Sequence, residues 1–402
     1  MSSVELGYLA IPVISAVIGW GTNYLAFKMI FWPVEFRGFR PLYLGWQGIV
    51  PKRIHIMAGK ACDLITGKLL SVEEVFNRVD PVKVAAELRS VIRELTPRLT
   101  HEIMNELAPS IWNRIPSVLK EPIHQKIIDD SPRVIERITG DMKQNIHRIF
   151  DLKQVVVDAL VRDKVVMNNV IISCARPEFR FLIKTGLYLG FLCGFVQMAV
   201  WHFWQQWWLL PLFGAVIGYV TNWVALKLVF EPVRPKKLWG MTFHGLFLKR
   251  QQEVAEAYAA QVESGILNPT NILEGLLRSD SADELFKIIH RRVSETVDES
   301  AGIAKPLVEL VIGTDEFERI KARVVDRLLD ELPKHAHVLE SYTLETLDIE
   351  NTLRTKMAAL PPEDFVGVIR PAFEQDEWML VVGGGVLGAA VGLLQVAVFF
   401  GF

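Results

Sequence analysis

Four stretches of about 20 or more mostly apolar residues divide this chain, each long enough to cross roughly 30 Å of hydrocarbon. They cover residues 7–32, 181–204, 207–230 and 378–402. Trp201, Trp204, Trp207 and Trp208 crowd the link between the second and third, as an interfacial aromatic belt does. The first residues, MSSVELGYLA, lack the basic start and small-residue cleavage site of a signal peptide. The first stretch therefore reads as an uncleaved membrane anchor.

Basic residues orient the spans. No Lys or Arg precedes Lys28, lies between Lys184 and Lys227, or follows Arg370, so all 44 fall in two segments, 28–184 and 227–370. Positive-inside bias puts both segments in the cytoplasm, with the N- and C-termini outside. The mean hydropathy of +0.25 alongside 22% charged residues reflects this segregation. A net charge of −2 gives no argument for nucleic acid as a partner.

The chain also resembles itself. Residues 11–34, IPVISAVIGWGTNYLAFKMIFWPV, align without a gap on residues 210–233, LPLFGAVIGYVTNWVALKLVFEPV, and 12 of the 24 positions are identical. Apolar helices share Val and Ile by chance, but not Thr-Asn, Lys and Pro in register. The match continues through Gly48, Lys52 and Arg53 against Gly245, Lys249 and Arg250. It returns at Gly190, Gly194, Gln197, Ala199 and Val200 against Gly388, Gly392, Gln395, Ala397 and Val398. Each half is thus span, soluble segment, span, and two crossings per half make the repeats parallel. The expected architecture is all-α and integral to the membrane, a tandem parallel repeat with four transmembrane helices. Two large helical cytoplasmic domains, residues 33–180 and 231–377, complete it.

Small residues recur every fourth position in the spans: Gly186, Gly190, Gly194; Gly384, Gly388, Gly392; Ser15, Gly19, Asn23; and Gly214, Gly218, Asn222. Such stripes let helix backbones approach closely where lipid removes the hydrophobic effect, and the four are expected to face one another. Asn23 and Asn222 need polar partners in hydrocarbon. They serve either an interhelical hydrogen bond or a site that grips a headgroup or ion. Lys28 and Lys227 lie one turn further along, able to snorkel to the interface or to bind lipid phosphate. Lys52, Arg53, Lys249 and Arg250 extend the candidate lipid or polar-ligand site.

In the soluble segments, apolar residues step by three or four. Examples are Val84, Leu88, Val91, Leu95, Leu99, Ile103 and Leu107, then Ile320, Val324, Leu328 and Leu332. This is the period of amphipathic helices, which here build either a bundle core or an open apolar groove. Pro97, Pro109, Pro116, Pro122 and Pro132 are expected to break the first segment into short pieces; Pro306, Pro333, Pro361, Pro362 and Pro371 do the same later. Nothing reads as a catalytic centre. There is no phosphate-binding loop and no GxSxG, and the His101-Glu102 pair lacks its second His because Asn105 stands there. Cys62, Cys174 and Cys193 have no metal-ligand spacing and suit a reducing compartment. Neither metal nor cofactor is expected, and enzyme activity is disfavoured.

The duplicated G-[WY]-x-TN-x-x-A-x-K-x-x-F-x-P pattern resembles a bacterial membrane family, domain of unknown function 445, which includes the UPF0754 membrane proteins. Gly19, Thr22, Asn23, Ala26, Lys28, Phe31 and Pro33 carry one copy; Gly218, Thr221, Asn222, Ala225, Lys227, Phe230 and Pro232 carry the other. The resemblance covers the whole chain and implies residence in the inner (plasma) membrane. Three functions follow as expectations. The first is a membrane-anchored scaffold or lipid-handling protein, with membrane lipids as partners and its helices free to join a second copy or another protein. The second is an oligomeric transporter or channel with its polar site at the paired Asn and Lys. The third is a membrane enzyme with a cytoplasmic pocket.

Overall fold

The computed structural model describes residues 3–39, 44–230, 236–238, 241–243, 246–278, 282–301, 313–369 and 377–400. Four of its helices are long and apolar enough to cross a membrane. They run over Ser3–Phe31, Lys164–Phe203, Leu209–Phe230 and Glu377–Phe400. The second begins 17 residues before the expected span. Its lower part is amphipathic and buries Met167, Val170, Ile171 and Cys174, so polarity changes at residue 181 while the helix runs on. In its first third Ala175 leaves helical geometry (φ −112°, ψ 18°), two residues ahead of Pro177, whose ring cannot donate to the carbonyl four residues back.

Compact units do not follow the two halves of the sequence. One gathers Met1–Leu64, Leu160–Val262 and Leu353–Phe402; the other gathers Ile65–Ala159 and Glu263–Thr352. Each unit draws on both halves of the chain, because in the helical unit apolar stripes from the two segments close on each other.

The first unit holds the four apolar helices. The first packs along the second, the third along the fourth, and the first also touches the third. Where the first helix ends, its carbonyls have no partners in its own backbone. Other elements supply them and also bond the residues that follow. Trp46 Nε1 donates to the Met29 oxygen (3.2 Å), Asn168 Nδ2 to Phe31 (2.8 Å) and Gln47 Nε2 to Val34 (2.8 Å). Gly48 N donates to Pro33 O at 2.9 Å. A Cβ on Gly48 would lie 2.7 Å from the Phe31 carbonyl carbon, which gives this motif glycine its reason. Here the chain forms a small antiparallel hairpin, β1 (Arg37–Phe39) with β2 (Leu44–Trp46), and β3 (Lys236–Leu238) with β4 (Met241–Phe243) follows the third helix likewise. An all-α reading misses these because three residues are too few to show alternation. Beside them Phe247 stacks on Phe365 at 5.0 Å, and Gln251 Nε2 donates to the carbonyls of Met357, Ala358 and Leu360 at 3.2, 3.1 and 2.8 Å.

The second unit is a helical bundle. Asp80 caps the Pro81–Leu107 helix by accepting from Val82 N at 2.9 Å. Leu95, Leu99, Ile103 and Ala108 form a core with Ile320, flanked by Val91, Met104, Leu107, Val324 and Leu328. Several prolines expected to break helices do not. Pro97 lies inside Pro81–Leu107, Pro122 and Pro132 inside the 28-residue Ser117–Gln144, and Pro333 inside Thr314–His335. At Pro132 the reason is visible: Ser131 Oγ donates to Ile128 O at 2.8 Å, serving the carbonyl that proline cannot. Pro109 and Pro362 start helices, as proline at the first position does. Pro306 and Pro371 lie outside the described residues.

Ion pairs sew the segments together: Arg98 to Glu331 (2.8 Å), Arg323 to Glu106 (2.6 Å), and Asp141 to both Arg291 (2.8 Å) and Arg292 (2.7 Å). Hydrogen bonds from Arg292 come first in holding the Asp141 carboxyl below the usual aspartate range; burial opposes them, and Arg291 assists. The apolar side chains Leu70, Val75, Phe76, Phe150, Leu267 and Ile272 line a niche of about 10 Å³.

Candidate functional site

The sixteen candidate site residues divide by position. Eight are glycines of the spans and they set helix separation. A Cβ on Gly19 would lie 3.0 Å from the Gly186 carbonyl carbon and 3.2 Å from Gly190 Cα. One on Gly194 would lie 2.5 Å from Pro12 Cα and 2.9 Å from Ser15 Cβ. The same close approach recurs between the third and fourth helices. There a Cβ on Gly218 would lie 2.7 Å from the Gly384 carbonyl carbon, one on Gly388 2.7 Å from that of Gly214, and one on Gly392 2.5 Å from Pro211 Cα. The stripes therefore meet in pairs, first with second helix and third with fourth.

The two asparagines sit in these seams. Asn23 Nδ2 donates to the Leu182 oxygen at 2.7 Å, and Asn222 Nδ2 to the Leu380 oxygen at 2.9 Å. Each amide thus reaches from a helix of the motif to the backbone of its partner, at a level where the facing residues, Gly186 and Gly384, have no side chain in the way. Thr221 Oγ1 donates to Asn23 Oδ1 at 3.3 Å, joining the third helix to the first. Both ends of the Asn23 amide are therefore engaged by protein. Asn23, Asn222, Thr22 and Thr221 are all buried.

Lys28 and Lys227 are exposed, and each ammonium lies over an aromatic ring. Lys28 Nζ is 4.7 Å from the centre of Trp32 and 5.8 Å from Tyr24, while Lys227 Nζ is 4.9 Å from Trp223. Cation–π attraction steers these chains along the exposed side of each helix. Trp20 stacks on Tyr24 at 5.6 Å and extends the same surface.

The two basic pairs differ from the lysines. Lys52 and Lys249 are exposed. Arg250 Nη1 donates to both carboxylate oxygens of buried Glu178, at 2.8 and 3.0 Å, and Nε donates to Glu253 at 2.8 Å. Burial works against the Arg250 charge, but Glu178 and Glu253 outweigh it and hold its pKa above the usual arginine value. Arg53 is half-buried at the end of the short Ile49–Lys52 helix, and its backbone N–H bonds Ile49 and Val50. The geometry gives Arg250 a structural partner, whereas Lys28 and Lys227 are exposed.

Several participants were not singled out from sequence. Glu178 looked like an ordinary acidic residue before a span. Asn168, which closes the end of the first helix, had no motif around it. Gln197 and Gln395 were recognised only as matching positions, yet both are buried in the bundle, and Ser15 Oγ donates to Gln197 Oε1 at 2.7 Å. Their signal was a polar residue one turn beyond Gly194 and Gly392 within an apolar span. Among the described residues no group of three or more His, Cys, Asp or Glu is arranged to hold a metal ion.

Curated proteins resemble this chain. A UPF0754 membrane protein of Synechococcus sp. (strain JA-3-3Ab) is 20% identical over 434 residues, spanning 97% of this chain and 98% of the relative. Another from Thermosynechococcus vestitus is 20% identical over 97% of the chain and 95% of its own length. A third, from Bacillus pumilus, is 29% identical over a shorter region, 36% of this chain. That match spans only 40% of the Bacillus protein. No family model matches the chain, and no solved structure matches it.

Proposed function

The chain is a relative of the UPF0754 membrane proteins along nearly its whole length, and from that premise we propose a membrane-anchored helical scaffold of the bacterial inner membrane. The reading rests on one observation: Leu95, Leu99 and Ile103 share a core with Ile320, so segments on either side of the middle pair of spans build one unit. A duplicated chain whose halves share a core in this way builds one helical body from two sequence-distant segments. Confinement of all 44 basic residues to residues 28–184 and 227–370 supports a cytoplasmic position for that body.

Lipid enters as a surface partner. The amphipathic stripes are used in the core, and the niche has a cavity volume of about 10 Å³, room for roughly one water molecule. That is too little to carry an acyl chain. Lys28 and Lys227, exposed beside Trp32 and Trp223, are instead placed to meet lipid phosphate where each helix leaves the bilayer. The corresponding experiment is native mass spectrometry of full-length protein with phosphatidylglycerol. The Lys28→Ala, Lys227→Ala double variant is expected to lose most retained lipid at unchanged melting temperature. Equal lipid retention by the variant and the parent protein would remove this part of the reading.

A further inference from the structure

Far from Lys28 and Lys227 along the helices, the bundle contains two glutamines with unanswered hydrogen-bonding groups. Gln197 is 1% exposed and Gln395 6%. Gln197 Oε1 accepts from Ser15 Oγ at 2.7 Å, but its Nε2 has no partner among the described residues; neither has Gln395 Oε1. The two stand at matching positions of the sequence repeat, one turn past Gly194 and Gly392, whose close approach to Pro12 and Pro211 narrows the surroundings. The same defect occurring by accident at both positions would be a coincidence. An amide atom in hydrocarbon without a partner is strongly unfavourable, and structures that keep one satisfy it.

We propose that Gln197 and Gln395 each hold a neutral, water-sized ligand, an ordered water molecule, inside the bundle. Charge excludes an ion. Residues 11–27, 185–226 and 378–400 contain no Lys, Arg, Asp or Glu, so an ion here would have no counter-charge within the spans. The free groups ask for opposite partners, since Gln197 offers N–H and Gln395 offers an oxygen. Water, which donates and accepts, answers both. Size argues the same way, because glycine-to-backbone contact one turn below leaves no room for a headgroup. Asn23 needs no such ligand, as both ends of its amide are engaged by protein. This inference does not depend on the scaffold reading.

The test uses full-length protein in lipid nanodiscs, with a density map good enough to place water. One solvent peak is expected about 3 Å from Gln197 Nε2 and another about 3 Å from Gln395 Oε1. In Gln395→Leu the second peak should vanish and the first remain, while the protein melts about 2–4 °C lower. A map with both amides bonded to protein, or with a larger polar molecule in place, overturns the proposal. So does a Gln395→Leu protein that melts higher than its parent, since removing an unpaired oxygen stabilises a site that holds no ligand.

Discussion

Thr221 donates a hydrogen bond to Asn23 Oδ1 across 3.3 Å, tying two helices that carry the same motif far apart in the chain. Asn23 also reaches Leu182 O, whereas among the described residues Asn222 bonds Leu380 O through Nδ2 alone. The two asparagines are therefore not equal. Interhelical side-chain bonds in membranes average about 0.6 kcal/mol and reach roughly 1.7 kcal/mol. Asn23→Ala should cost about 1–2 kcal/mol and exceed Asn222→Ala by about one bond. Reversible unfolding in bicelles would measure both, and a larger loss for Asn222→Ala would contradict the geometry.

Neighbouring glycines give a sharper contrast. A Cβ on Gly384 would lie 2.6 Å from the Gly218 oxygen and 2.9 Å from Asn222 Cγ, while one on Gly383 meets nothing within 4 Å. Gly384→Ala must push the third and fourth helices apart. Gly383→Ala fills open space and gains helix propensity, worth up to about 1 kcal/mol in a solvated helix. The expected outcome is a clear drop in melting temperature for Gly384→Ala and none for Gly383→Ala. Identical behaviour of the two variants would refute the packing.

Particular residues explain which parts of this were legible in sequence. The spans could be read because hydrocarbon thickness fixes their length, and Gly19, Gly186 and Gly388 could be read because close approach demands glycine at helical spacing. Pairing of the soluble segments was not legible. Leu99 and Ile320 each announce an apolar face, but nothing local says which face meets which. Prolines misled for a related reason: Pro132 is tolerated through the hydroxyl of Ser131, a detail the residue pattern does not weigh. Arg250 belonged to a basic pair that suggested lipid, and only the fold brought Glu178 to it. The hairpins were too short to leave a signature.

Asp141 offers a test through pH. Its carboxyl receives Arg292 Nε at 2.7 Å and Arg291 at 2.8 Å, and its folded pKa is depressed. A depressed carboxylate contributes stability that is complete above the unfolded pKa, near 3.9, and fades as pH falls through the folded value. Stability of the helical bundle should thus decline on acidification from about pH 4 downward. Asp141→Asn should cost about 1–3 kcal/mol at pH 7 and flatten that decline. Melting curves at pH 7 and pH 3.5 would decide; a variant that keeps the full acid sensitivity shows that other carboxylates carry it.

Membrane orientation can be tested with thiols because the native cysteines are poorly reactive where it matters. Cys62 and Cys174 are buried, and burial, aided by the Glu178 carboxylate, pushes the Cys174 thiol up to about 12. At neutral pH almost none of it is thiolate, the reactive form. With half-buried Cys193 changed to Ala, a cysteine introduced elsewhere becomes the reporter. Gln206, in the link between the second and third helices, and Val118, on the helical bundle, are both exposed. If the basic segments face inward, Gln206→Cys reacts with a membrane-impermeant maleimide on intact cells, and Val118→Cys reacts only after lysis. Labelling of Val118→Cys from outside would reverse the topology and remove the lipid-phosphate role of Lys28 and Lys227 at the inner leaflet. The glycine and asparagine seams, which depend on neither side, would stand.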